Sequence, residues 1–204
     1  MKVLVITANP KKEGALASLT EAAARGLSDS GVEVEEVRLA DLNIGYCTFC
    51  FKCLRDTESE IGGCSQDDDM KQLLQKARDA DGFVFASQVS SGHANALFKT
   101  FGERSTYTAG RAGRLLFLKG VPETRFTDKR RFAVTLVSAG AIPAWLRVVC
   151  NTATRQMSEL ARNGYNATVI GRLYAGMVRD GLKERDREKA YRLGRKLGNR
   201  IAFP

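Results

Sequence analysis

The sequence predicts a doubly wound α/β fold: one parallel sheet of five strands, with helices on both faces. Three observations predict it. Short apolar, β-branched runs alternate with longer helical patterns along the whole chain. Small, polar, glycine-containing loops follow successive strands. No internal repeat or linker divides the 204 residues. That length suits one domain. The expected organisation is a single domain over 1–204, with a cysteine-rich insertion at about 44–66 and a basic loop at about 106–130.

The elements follow in order. Residues 2–7, KVLVIT, form a buried first strand. A polar stretch with Pro10 and Gly14 leads into a helix over Ala15 to Leu27, with Leu16, Leu19, Ala23 and Leu27 on one face. Gly31 stops it. Val32, Val34 and Val37 alternate with Glu in a second, edge-like strand. Residues 43–66 hold most of the cysteines and little regular pattern. Asp67-Asp68-Asp69 opens a helix to about Ala80, with acids placed at the positive end of its dipole. Gly82 to Ala86 is the third strand, 87–93 a Ser/Gly-rich loop, and 94–104 a helix. The Gly- and Arg-rich stretch 106–130 reads as irregular. Phe132 to Val137 is the fourth strand, followed by a helix from about Pro143 to Asn163. Ala167 to Ile170 is the fifth strand, and a last helix spans about Asp180 to Ile201. Five such strands point to the flavodoxin-like order 2-1-3-4-5, which places ligands at the carboxyl ends of strands 1 and 3.

Composition narrows the function classes. The hydrophobic content of 44% is that of a globular protein. No apolar run reaches about 18 residues, so no membrane span is expected. The opening MKVLVITANP is too short for a signal peptide and reads as a strand. The expected location is the cytoplasm. The net charge of +9 is uneven. Residues 106–130 carry six Lys/Arg against two acids, and residues 172–200 carry ten against four. These are either solvated faces or attraction for an anion such as a nucleotide cofactor. Neither stretch interleaves aromatics for base stacking, which argues against nucleic acid.

Three loops fall at one edge of the predicted sheet. After the first strand, Asn9, Lys11, Gly14 and Ser18 surround a helix start, where free backbone N–H groups attract anions. One glycine does not make a G-x-G-x-x-G fingerprint, and G-K-[ST] is missing. A monophosphate such as that of FMN fits better than a triphosphate; an ordinary βα loop is the plain alternative. After the third strand come Ser87, Gln88, Val89, Ser90, Ser91, Gly92 and His93. After the fourth come Ser138, Ala139 and Gly140. Small residues let a flat ring approach the backbone, although each loop alone is also a tight turn. His93 is the only histidine and fits a helix-cap neighbour or core residue as well as a catalytic group.

Five cysteines are present, four of them within eighteen residues. Cys47, Cys50 and Cys53 form C-x2-C-x2-C, and Cys64 follows. In a chain with no export signal this points to metal ligation rather than disulfides. The successive two-residue gaps favour a four-iron four-sulfur cluster; zinc and free thiols remain alternatives. Tyr46, Phe49 and Phe51 would shield such a group. Cys150, within WLRVVC, reads as a small buried hydrophobe.

The cysteine motif with Cys64 and Asp67-Asp68-Asp69-Met70 resembles the iron–sulfur flavoproteins, within the NADPH-dependent FMN reductase group of flavodoxin-like folds. Ala8-Asn9-Pro10-Lys11 is similar to that family's G-S-P-R phosphate loop. Leu97 to Arg104 is similar to its L-K-x-F-x-D-R helix, and Ser138-Ala139-Gly140 to its third flavin loop. The likeness spans roughly residues 1–175. It implies a flavin-dependent oxidoreductase that binds FMN and a four-iron four-sulfur cluster and passes electrons between a ferredoxin-like donor and a small acceptor. On that reading Asn9, Lys11, Gly14 and Ser18 hold the phosphate, Ser87 to His93 and Ser138 to Gly140 hold the ring, and Cys47, Cys50, Cys53 and Cys64 ligate iron. No side chain is assigned acid or base chemistry, because the cofactors carry it. The resemblance also implies a homo-oligomer, dimer or tetramer. Two alternatives stand beside it. One is an NAD(P)H-dependent FMN or quinone reductase without a cluster. The other is a non-enzymatic scaffold whose basic C-terminal helix binds an acidic partner.

Overall fold

A computed structural model describes residues 1–115, 117–147 and 152–203. Five strands make the parallel sheet: β1 (Lys2–Thr7), β2 (Glu33–Arg38), β3 (Gly82–Ser90), β7 (Arg131–Ala139) and β8 (Ala167–Gly176). Their order is β2-β1-β3-β7-β8, the predicted 2-1-3-4-5 order. The period of two explains how one sheet buries two faces. Leu4 and Ile6 of β1, with Phe83 and Phe85 of β3, face one core. Val3 and Val5, with Val84 and Ala86, face the other. All nine residues of β7 are buried, as a central strand requires. Edge strand β2 buries only Val37.

Helices α1 (Ala15–Ser28) and α6 (Glu184–Ala202) cover one face. Helices α3 (Met70–Asp79), α4 (Ala96–Ser105) and α5 (Ala153–Tyr165) cover the other, and α2 (Lys52–Arg55) is one short turn in the cysteine segment. Close approach of α1 and α6 depends on glycine. A Cβ at Gly194 would lie 2.0 Å from the Ala23 carbonyl oxygen, and one at Gly26 would lie 2.2 Å from that of Tyr191. Under α4 and α5, Tyr165 is wholly buried among Phe83, Phe85, Phe101 and Phe126. Its hydroxyl meets Ser105 Oγ at 2.8 Å. Burial raises its pKa despite that partner. Nearby, at the start of β7, Arg131 is 0% exposed. It donates to the carbonyls of Ala80, Lys129 and Arg78, pairs with Asp128, and lies over the Phe126 ring.

Several expectations are corrected. The basic stretch 106–130 is not an irregular loop: it contains an antiparallel hairpin of β5 (Gly110–Leu115) and β6 (Leu118–Thr124). Its GRAGRL strand lacks apolar alternation, so no strand pattern shows. The 87–93 stretch is not a plain loop either. Strand β3 runs on to Ser90 and turns back into β4 (His93–Ala94). Ser91 (φ 48°) and Gly92 (φ 82°) form the two-residue turn, both with positive φ as a type I′ hairpin requires. Of the stretch expected to be helical from about Pro143 to Asn163, Ala144–Leu146 form a 3-10 turn and Ala153–Tyr165 form α5; residues 148–151 lie outside the described residues. Strand β8 runs past Ile170 to Gly176. Gly171 lets α6 pack close on this strand, since a Cβ there would lie 2.5 Å from Leu193 Cδ2. Helix α6 starts at Glu184 rather than Asp180, after a 3-10 turn at Val178–Asp180 and Gly181 at φ 114°. Cys150 lies outside the described residues. Among the described residues no helix is long and apolar enough to cross a membrane.

Candidate functional site at the sheet edge and the cysteine cavity

Parallel register brings the predicted loops side by side. Thr7 pairs with Ala86, and Gln88 with Ser138. A polar network binds these ends. Gln88 Nε2 donates to Asn9 Oδ1 at 3.1 Å, and Lys11 N donates to the same oxygen at 3.2 Å. Asn95, outside the predicted site residues, donates through Nδ2 to the Ala8 carbonyl at 2.5 Å. Its backbone N–H donates to Ser87 Oγ at 3.1 Å, and its Oδ1 caps α4 at Phe98 N. An Asn near the start of the helical pattern expected at 94–104 was the available signal.

These bonds divide the candidate residues into supports and open positions. Asn9 is 2% exposed and Ser87 0%, so both brace the loops from below. Residues 10–14 are exposed at the start of α1. Gly14 caps it at φ 102° with no side-chain cap bond, and no acid lies in the first turn. The N–H of Ser18 is already bonded to the Gly14 carbonyl. Nothing lies within 4 Å of a Cβ built on Gly14 or Gly140. The space over both loops is therefore free for a ligand to touch backbone. Val89 and Ser90 pair with Ala94 and His93. His93 Nδ1 meets Thr152 Oγ1 at 2.8 Å, which ties the turn to the head of α5. Ser138 and Ala139 are buried in β7, and the exposed Gly140 accepts from Arg179 N at 3.1 Å.

The second locus is a cavity of about 350 Å³ that all four predicted ligands line: Cys47, Cys50, Cys53 and Cys64. Among the described residues no three Cys, His, Asp or Glu side chains are grouped to hold a metal ion as they stand. The thiols nonetheless sense one another. Burial pushes the Cys53 thiol up, and Cys64 and then Cys47 add to the rise. The Cys50 thiol is lowered to about 7 by the Ser65 hydroxyl at 3.1 Å, with help from the N–H of Lys52. Phe49 (φ 52°) and Phe51 (φ 57°) hold left-handed backbone between the cysteines. For residues with Cβ atoms this conformation costs energy and concentrates at functional turns.

Two arginines clamp this segment. Arg104, from α4, forms a two-point ion pair with Asp68, at 2.6 and 2.9 Å. It also donates to the Gly45 carbonyl at 2.8 Å, to Gln66 Oε1 at 3.1 Å and to Cys64 Sγ at 3.4 Å. Burial opposes its charge, but Asp68 and Cys64 outweigh it and raise its pKa. Burial likewise pushes the Asp68 carboxyl up, while Arg104 and the N–H groups of Gly45 and Met70 hold it below its usual range. The acids stand at the start of α3 as expected, with Asp68 Oδ1 accepting from Met70 N at 3.2 Å. Asp68 and Asp69 stitch the cysteine segment, with Asp69 Oδ2 accepting from Asn43 N at 2.7 Å. Arg125, between β6 and β7, reaches the carbonyls of Ser59, Cys53 and Asp56. Nothing in its sequence surroundings signals that role. The Asp56 carboxyl, which accepts from the N–H groups of Gly63 and Ser59, is lowered to about 2.

The profile of the NADPH-dependent FMN reductase family matches residues 1–144. The chain belongs to that family. An iron-sulfur flavoprotein of Archaeoglobus fulgidus is 34% identical over 128 residues, covering 59% of this chain and 56% of that protein. An iron-sulfur flavoprotein of Methanocaldococcus jannaschii is 33% identical over 105 residues, covering 52% of each. This chain thus spans about half the length of the curated relatives it matches. Among solved structures, an NAD(P)H:quinone oxidoreductase from Methanothermobacter marburgensis aligns with a TM-score of 0.69 at 21% identity, over 98% of both chains. An FMN-dependent NADH-azoreductase from Bacillus anthracis aligns at 0.67 with 13% identity, over 98% of this chain and 99% of that one. These two likenesses show the shared fold.

Proposed function

We propose that this chain is a flavin-dependent oxidoreductase. It binds FMN at the carboxyl edge of the sheet and a four-iron four-sulfur cluster on Cys47, Cys50, Cys53 and Cys64. Electrons pass from a ferredoxin-like donor to a small acceptor. The carrying observation is that all four thiols line one cavity, braced by the Arg104–Asp68 pair. The donor set is all sulfur, which suits soft metal centres.

FMN and the cluster, when bound, supply the electron chemistry; the chain's own residues bind, orient and insulate. The uncapped start of α1 and Lys11 would hold the phosphate, with Asn9 fixing the Lys11 backbone. Ser87 to His93 and Ser138 to Gly140 would face the ring, with the open space over Gly140 giving access to backbone. Arg104 donates to Cys64 Sγ and so orients that thiol. Tyr46, Phe49 and Phe51 stand exposed beside the thiols, a surface that fits cover by a second copy in a homo-oligomer.

A second reading, an NAD(P)H-dependent FMN or quinone reductase without a cluster, is favoured by the solved quinone oxidoreductase neighbour and by the thiols not being grouped for metal as they stand. Two variants separate the parts. Gly14→Val should weaken FMN more than riboflavin, because only FMN carries the phosphate; equal loss of both refutes the phosphate loop. Cys50→Ser should abolish iron content while FMN is retained; iron unchanged in that variant refutes the cluster assignment.

A further inference from the structure

Arg104 carries N–H donors on three nitrogens, and the polypeptide engages two of them. Nη1 serves Asp68 Oδ2, the Gly45 carbonyl and Gln66 Oε1. Nη2 serves Asp68 Oδ1 and Cys64 Sγ. Nε is buried and has no acceptor. A buried donor left unpaired is costly, so this one calls for an acceptor that the polypeptide does not supply. Arg104 and Cys64 both line the cysteine cavity, and both also line a second hollow of about 350 Å³ against α3.

The four thiols of the cavity are not alike. Cys50 Sγ meets a neutral hydroxyl, that of Ser65. Arg125, the other guanidinium near the cysteines, gives its bonds to carbonyl groups, that of Cys53 included. Among the described residues only Cys64 takes a hydrogen bond from a cation, and that cation is 1% exposed. Reduction adds negative charge to a metal centre already held by thiolates. A charge-assisted N–H on one of its sulfurs is therefore stronger after reduction than before. Away from water that difference is weakly screened. Hydrogen bonds to sulfur and net charge are two of the levers that set a cluster's potential. Asp68 works against Arg104, because its carboxylate offsets the guanidinium charge from the same two nitrogens.

We propose, resting on the cluster reading above, that Arg104 is a positioning residue which acts through Cys64 to raise the reduction potential of the cluster, and that Asp68 limits the rise. One electron leaves the reduced ferredoxin-like donor and enters the cluster; no bond is made or broken. The pair sets how readily that electron is taken. The test is an anaerobic redox titration of full-length, iron-loaded protein, followed by visible and paramagnetic resonance spectra, in wild type, Arg104→Lys and Asp68→Asn. Lys keeps the charge beside Asp68 but loses the planar fork that reaches Cys64. Its cluster should be harder to reduce, by about tenfold in the equilibrium or about 59 mV for one electron, with iron and FMN content unchanged. Asp68→Asn leaves the guanidinium charge uncompensated, so its potential should move the opposite way. A residue that merely held the segment together would shift both variants in one direction, or lose iron in both; either result overturns the proposal. So does an unmoved potential in Arg104→Lys. Should Asp68→Asn fail to fold, Arg104→Met with Asp68→Asn strands no charge; its potential should fall at least as far as in Arg104→Lys, and no fall overturns the proposal. Wild-type protein without iron refutes the cluster reading and this inference with it, whereas iron present with potentials unmoved overturns this inference alone.

Discussion

Replacing Asp68 with Asn tests the clamp on the cysteine segment. The pair it breaks is buried: the Arg104 side chain is 1% exposed and that of Asp68 is 8%. Asn keeps the shape and one acceptor oxygen but removes the charge. Arg104 would then hold its cation against the Gly45 carbonyl, Gln66 and Cys64 with no counter-charge. Stranding one partner of a buried pair costs about 3–5 kcal/mol. The N–H groups of Gly45 and Met70, now bonded to the two carboxylate oxygens, would compete for one acceptor. Urea unfolding of wild type and variant measures the loss, and limited proteolysis within residues 43–66 locates it. A loss of about 3 kcal/mol or more, with faster cleavage of that segment, is expected. A loss below about 1 kcal/mol, the worth of an exposed pair, would refute the reasoning.

The same pair has a pH signature. The Asp68 carboxyl is held below its usual value near 3.9, so its contribution is complete above that pH and is lost as pH falls through the lower folded value. Urea midpoints measured down to pH 3 should fall less steeply in Asp68→Asn than in wild type. Gly194→Val would drive a side chain into the Ala23 carbonyl, so a loss of about 1–3 kcal/mol or more is expected by thermal unfolding. Ser105→Ala leaves the wholly buried Tyr165 hydroxyl without its partner and should cost about 1–3 kcal/mol. Tyr165→Phe should cost less, because Ser105 Oγ still donates to the Phe101 carbonyl at 2.7 Å.

The sheet order was legible because its strands are short, β-branched and separated by amphipathic helices. The loops at the carboxyl edge of the sheet were legible because small polar residues follow those strands. The hairpin of β5 and β6 was not. Its strands are Gly- and Arg-rich, and Arg125 binds the cysteine segment through carbonyl groups that any residue offers. The acids at 67–69 showed where a helix begins, but sequence spacing could not show that Asp68 meets Arg104, 36 residues away.

The most direct test of the central claim is one visible spectrum, with iron, sulfide and flavin analysis, on protein prepared anaerobically with iron and sulfide supplied. The account predicts flavin absorption over a broad cluster shoulder, with iron and sulfide in the ratio of a four-iron cluster. Flavin without iron would contradict the cluster on Cys47, Cys50, Cys53 and Cys64 and leave a plain flavin reductase. A colourless protein that takes up no FMN would contradict the whole account.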